Sequence, residues 1–125
     1  MRFLPFLFLS LLCIFLACQK GGHWQHFRFT AIEEARERGW TVFVHLYESK
    51  TCDEQKKVLE KVIKNPNYAK VGAYRLAWNT EPGVQNYFKA SKPCTLIVLK
   101  GYEERGRATD VSDERLLAQL LSQGL

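Results

Sequence analysis

Three runs of this chain read as strands: Trp40 to Tyr47, β-branched and aromatic without breakers, then Val71 to Trp78, then Cys94 to Lys100. Between them lie segments with apolar residues at helical spacing: Val58, Leu59, Val62 and Ile63 after Asp53, then Val84, Tyr87 and Phe88 between Glu81 and Ala90. Strands alternating with helices argue for parallel pairing through right-handed crossovers, with the closing hairpin adding an antiparallel pair.

The flanks complete the pattern. Thr30 and Glu33 form a capping box for a short helix with Ile32 and Ala35 inward and Gly39 as its stop. Gly101 to Gly106 holds a hairpin turn and residues 107–110 return as a short strand. Ser112 is expected to cap a last helix carrying Leu116, Leu117, Leu120 and Leu121. The predicted order is helix, strand, helix, strand, helix, strand, strand, helix. It describes an α/β domain with a four-stranded mixed sheet and helices on both faces.

The N-terminus carries a separate signal. A single basic residue, Arg2, precedes an uncharged run from Phe3 to Ala17, 15 residues long. A spanning helix needs roughly 20 apolar residues, whereas a short apolar core behind a basic start and before a small residue is the pattern of an export signal. Leu16-Ala17-Cys18, followed by Gln19-Lys20-Gly21-Gly22, resembles the bacterial lipobox, in which the cysteine is acylated and becomes the new N-terminus. The chain therefore divides into an export signal over 1–17, a tether over 18–29 that begins to dock at Trp24 or Phe27, and a folded domain over 30–125. The expected location is the periplasm or cell envelope, with Cys18 as the lipid site tying the protein to the membrane.

Export narrows the reading of the four cysteines. Cys13 falls in the signal and Cys18 at the lipobox, which leaves Cys52 and Cys94 in the domain. Two cysteines are too few for a disulfide framework and suit one redox pair or two separate thiols. Cys52 directly precedes the Asp53 helix, so the helix dipole and free backbone N–H groups favour its thiolate. Asp53 and Glu54, next in sequence, oppose that effect. Residues 18–125 carry 17 basic and 13 acidic side chains, +4 in all. The densest basic group, Lys56, Lys57, Lys61 and Lys64, reads as the solvated face of one helix, and no basic motif interleaved with aromatics points to nucleic acid. His23 and His26 lack acidic or cysteine partners, so neither a metal nor a cofactor is called for there.

Val44-His45-Leu46-Tyr47, then Cys52-Asp53-Glu54-Gln55-Lys56, then Ser91-Lys92-Pro93-Cys94-Thr95-Leu96-Ile97-Val98 together resemble the thioredoxin-like superfamily over residues 24–125. Within it the chain is similar to periplasmic domains of the disulfide-reductase type. The resemblance implies a thioredoxin-like fold, a cis peptide bond at Lys92–Pro93, protein thiols or disulfides as partners, and Cys52 as nucleophile. It also places Gln55 where the family has its second cysteine. Cys52 then acts alone, or is resolved by Cys94, or the chain keeps the fold as a non-catalytic protein-binding module. Cys94 itself is either that resolving thiol or a small buried hydrophobe. His45 falls where the family often buries a proton-relaying acid; it is either a relay or a hydrogen-bonded core residue. A soft-metal site from Cys52, Cys94 and His45 is the weakest reading.

Overall fold

The computed structural model describes residues 21–79 and 83–125. Its elements are β1 (Trp24–His26), α1 (Phe29–Glu37), β2 (Thr41–Tyr47), α2 (Asp53–Val62), a 3-10 turn (Pro66–Tyr68), β3 (Gly72–Ala77), α3 (Val84–Phe88), β4 (Thr95–Lys100), β5 (Glu103–Thr109) and α4 (Glu114–Ser122). The sheet order is β1-β3-β2-β4-β5. The first three strands are parallel, and β4 and β5 add antiparallel partners.

The sheet thus has five strands among the described residues, not four. The additional strand comes from residues assigned to the tether: Trp24, Gln25 and His26 pair with Ala73, Tyr74 and Arg75. A three-residue strand has too few positions to display a periodicity, so only a neighbouring edge reveals it. The Trp24 indole N–H also donates to the Leu59 carbonyl at 3.2 Å, tying β1 to α2.

Strand alternation sorts the core into two layers. Val42, Val44 and Leu46 pack with Ile32, Val84 and Phe88 under α1 and α3. Phe43 packs with Leu59, Ile63, Leu117 and Leu121 under α2 and α4. His45 has the parity of Phe43 and therefore faces α2. On β4, Leu96 and Val98 belong to that same layer, and Cys94 shares their parity.

Two helix starts differ from expectation. α1 begins two residues early, at Phe29 after Arg28 in extended conformation with no side-chain cap, so Thr30 lies inside the helix and does not cap it. α4 is capped by Asp113, whose carboxylate accepts the Leu116 N–H at 2.9 Å, and not by Ser112. On α3, Val84 and Phe88 are buried, while Tyr87 is half-exposed and donates its hydroxyl to the Glu33 carboxylate. β5 runs longer than the expected 107–110 because its exposed alternation is polar and Gly-interrupted, a weak signal next to the apolar runs.

Candidate functional site: the Cys52–Cys94 disulfide

β2 delivers the chain to the site. Past Tyr47 the loop folds back on itself: the Cys52 N–H donates to the Glu48 carbonyl at 3.0 Å, and the Glu48 N–H points at Cys52 Sγ at 3.3 Å. Cys52 occupies the N-cap position of α2, one residue before Asp53. The first turn carries Asp53 and Glu54. Tyr47 donates its hydroxyl to Asp53 at 2.6 Å, and that bond holds the Asp53 carboxyl below its usual range while pushing the Tyr47 phenol up.

Cys94 reaches the site from the other side. Its backbone takes φ 58, the left-handed region that non-glycine residues seldom adopt. Three hydrogen bonds hold it there: its N–H donates to the Leu46 carbonyl at 2.8 Å, and its carbonyl accepts from the Asp110 N–H at 3.0 Å and from the Gln55 amide at 3.0 Å. Cys52 and Cys94 are joined by a disulfide, with Cα atoms 5.2 Å apart. Of the readings open for Cys94, the small lone hydrophobe is thereby replaced by a bonded partner. Both cysteines are covered, at 1% and 3% exposure, so an attacking sulfur reaches the bond only after local movement.

The Lys92–Pro93 bond is trans, against expectation; no peptide bond among the described residues is cis. The chain reversal into β4 is made instead by left-handed Cys94, braced by the Thr95 hydroxyl donating to the Lys92 carbonyl at 2.9 Å. A cysteine immediately after the proline, committed to a disulfide and to three main-chain hydrogen bonds, supplies the turn by itself.

Gln55, three residues after Cys52 on α2, makes a polar clamp. It is 2% exposed. Its amide nitrogen donates to the carbonyls of Cys94 at 3.0 Å and Val111 at 2.9 Å, and its oxygen lies 2.8 Å from His45 Nε2. On the far side of the imidazole, Arg75 Nε donates to His45 Nδ1 at 2.9 Å. Since Nδ1 accepts, the single ring proton sits on Nε2 and is donated to Gln55. Every polar atom of the His45 and Gln55 side chains is thus engaged. Burial, with the Arg75 charge adding to it, lowers the His45 pKa to about 3, so the ring is neutral at any physiological pH. Arg75 in turn rests over the Trp24 ring at 5.0 Å and pairs with Glu60 at 3.4 Å.

His45 therefore touches neither sulfur through these bonds; it is linked to Cys94 through Gln55. The three-residue metal set does not assemble, because the two sulfurs are bonded to each other and both imidazole nitrogens are occupied. Sequence reasoning missed Arg75 and the clamp made by Gln55. A polar residue on the apolar side of α2 was the available signal.

Searches of solved structures return thioredoxins. Trxlp from Edwardsiella tarda superposes with a TM-score of 0.73 at 20% identity, covering 78% of this chain and 97% of that one. The fold is thioredoxin-like. The Malassezia sympodialis thioredoxin Mala s 13 follows at TM-score 0.70 and 15% identity, over 83% of this chain and 91% of its own. Thioredoxin O2 from Arabidopsis thaliana, in its oxidised state, gives 0.64 at 17% identity, over 75% and 83%. No protein-family model and no curated protein sequence matches the chain. In this thioredoxin-like domain the helix-terminal cysteine bonds to a cysteine across the site rather than to one in its own helix.

Proposed function

We propose that the protein is an exported, lipid-anchored thiol–disulfide exchange protein whose reacting pair is Cys52 and Cys94. The observation that carries the reading is the disulfide itself, set at the N-terminus of α2 in a thioredoxin-like fold. In the reduced protein the Cys52 thiolate, favoured by the helix end and the Glu48 N–H, attacks one sulfur of a partner protein's disulfide. A mixed disulfide forms and one partner thiolate leaves. The Cys94 thiolate then attacks Cys52 Sγ, closing the Cys52–Cys94 bond and releasing the second partner thiolate. The partner gains two electrons and takes up two protons; the pair loses them. The reverse sequence, starting from a partner dithiol, oxidises the partner instead.

Pro93 shapes the approach to Cys94, and His45, held neutral, orients Gln55. Both are positioning residues. Export rests on residues 1–17 and anchoring on acylation of Cys18; mass spectrometry of membrane-extracted protein, with Cys18 at the N-terminus and carrying lipid, is the expected result, and a free Cys18 thiol would sink it.

The near-complete burial of both sulfurs favours a second reading, a binding module with a structural disulfide. The reduction potential separates the two. Structural disulfides of exported proteins sit below roughly −300 mV, and exchanging ones above it. Equilibration of the native protein in defined thiol buffers, followed by alkylation and mass analysis, is expected to give a value above that line. Resistance to reduction until the protein unfolds would leave only the binding module. Cys94→Ser is further expected to accumulate mixed disulfides on Cys52.

A further inference from the structure

The described chain begins at one pole of the domain and the disulfide lies at the other. The Gly22 N–H donates to the Ile63 carbonyl at 2.8 Å, and Gly21 lies so close to the Lys64 carbonyl that a Cβ there would collide with it. Gly21 is thus seated at the C-terminal end of the helix whose N-terminal end holds Cys52. The same pole gathers the start of β2 and the end of β4, since Thr41 pairs with Lys100 while Leu46 pairs with Thr95 at the site end. Along β2 the two poles are about 20 Å apart, at about 3.3 Å per residue.

Only three peptide units separate Cys18 from Gly21. Fully extended, they span about 11 Å at most. A lipid on Cys18 therefore holds the Gly21 pole against the bilayer, whatever path residues 19 and 20 take. The surface presented there suits that neighbour. Trp40 is 51% and Tyr102 67% exposed, and Trp40, Lys70 and Lys100 border one open cavity of about 550 Å³. Lys64, Lys70 and Lys100 form no ion pair among the described residues. The pole also carries Glu37 and Glu103; the latter pairs with Arg105. Exposed aromatic rings with lysines beside them are the composition of an interfacial contact, and anionic headgroups complement the lysines.

We infer that the Trp40–Lys70–Lys100 pole is a docking surface for an anionic lipid bilayer, which aims the Cys52–Cys94 disulfide away from the membrane toward soluble partner proteins. The inference rests on the proposed acylation of Cys18. It assigns a partner class: disulfides in aqueous proteins, about 20 Å out from the headgroups, not disulfides at the membrane surface.

The test uses the full acylated chain, purified oxidised and reconstituted in vesicles of phosphatidylglycerol or of phosphatidylcholine. Lys70→Cys, Tyr102→Cys and Gln85→Cys supply reporter thiols, the last at the site pole, where Gln85 donates to the Trp78 carbonyl and the Trp78 N–H bonds Tyr47. A bulky maleimide is expected to label positions 70 and 102 slowly on anionic vesicles and fast in detergent, and position 85 fast in both. Lys70→Glu/Lys100→Glu is expected to raise labelling of Tyr102→Cys by about tenfold, the size a few unit charges produce near an anionic surface. Equal labelling of all three positions on vesicles that retain the protein overturns the docking surface and leaves the anchor standing. Protein that fails to sediment with vesicles and lacks lipid on Cys18 overturns both.

Discussion

Gln55 is a polar side chain sealed inside the domain, 2% exposed. It bonds the main chain on either side of the site, while Cys52 pairs with Cys94. Gln55→Leu keeps the volume and strands the Val111 carbonyl and the His45 ring N–H, while the Cys94 carbonyl keeps the Asp110 N–H. Unpaired buried groups cost about 1–3 kcal/mol each, so urea denaturation should show a loss of roughly 2–4 kcal/mol, with a less negative potential for the disulfide because Cys94 is held less tightly. An unchanged potential would deny Gln55 its positioning role. His45 makes a separate prediction about pH. Its folded pKa, about 3, lies below the unfolded value near 6.5. Between those values the unfolded chain binds the extra proton, so this contribution to stability is full above about 6.5 and is lost as pH falls toward 3. The denaturation midpoint should fall from pH 6.5 to 4.5, before the carboxylates titrate, and His45→Gln should flatten that slope. Equal slopes in the two proteins would contradict the assignment.

At the scale of elements, α2 presents its own N-terminus to Cys52 and also crowds it with charge. Asp53 and Glu54 both lie in the first turn. They favour the helix end, each by about 0.3–1 kcal/mol, but as like charges oppose a neighbouring thiolate. In the Cys94→Ser background, Asp53→Asn/Glu54→Gln should lower the Cys52 thiol pKa by roughly half a unit, read from thiolate absorbance against pH. A rise instead would mean that Asp53 acts mainly by fixing the loop through Tyr47. The helix and its cysteine were legible in the sequence because four apolar positions repeat at helical spacing right behind Cys52. β1 was not legible. Its pairing with β3 depends on Trp24 finding Arg75 and Leu59, which are 51 and 35 residues away in the sequence.

For the whole molecule, the disulfide closes a loop of 42 residues in sequence separation. Chain-entropy reasoning gives such a loop about 4 kcal/mol of stabilisation. Cys52→Ser/Cys94→Ser should lose up to that amount in denaturant titrations, and reduced wild-type protein should lose a similar amount. A loss in the reduced protein far below the double variant's would show that thiol packing, not loop closure, supplies the difference. The bond spans α2, β3 and α3 and joins the layer under α2 to the start of β4. Redox state and global stability are therefore coupled.

Local patterning determined the helices and the three long strands, since an apolar period or a β-branched run is a property of neighbours in sequence. It also placed Cys52 at a helix start, whereas only the resemblance to thioredoxin-like domains singled out Gln55. Tertiary structure alone decided that Cys94 faces Cys52, that a trans peptide precedes it, and that His45 is sealed between Arg75 and Gln55. Those outcomes depend on contacts such as Cys52 with Cys94, 42 positions apart, and His45 with Arg75, 30 apart, and on a left-handed turn at Cys94 held by the surrounding hydrogen bonds. No window of the sequence contains both halves of such a contact, so its chemistry appears only once the sheet brings β2, β3 and β4 side by side.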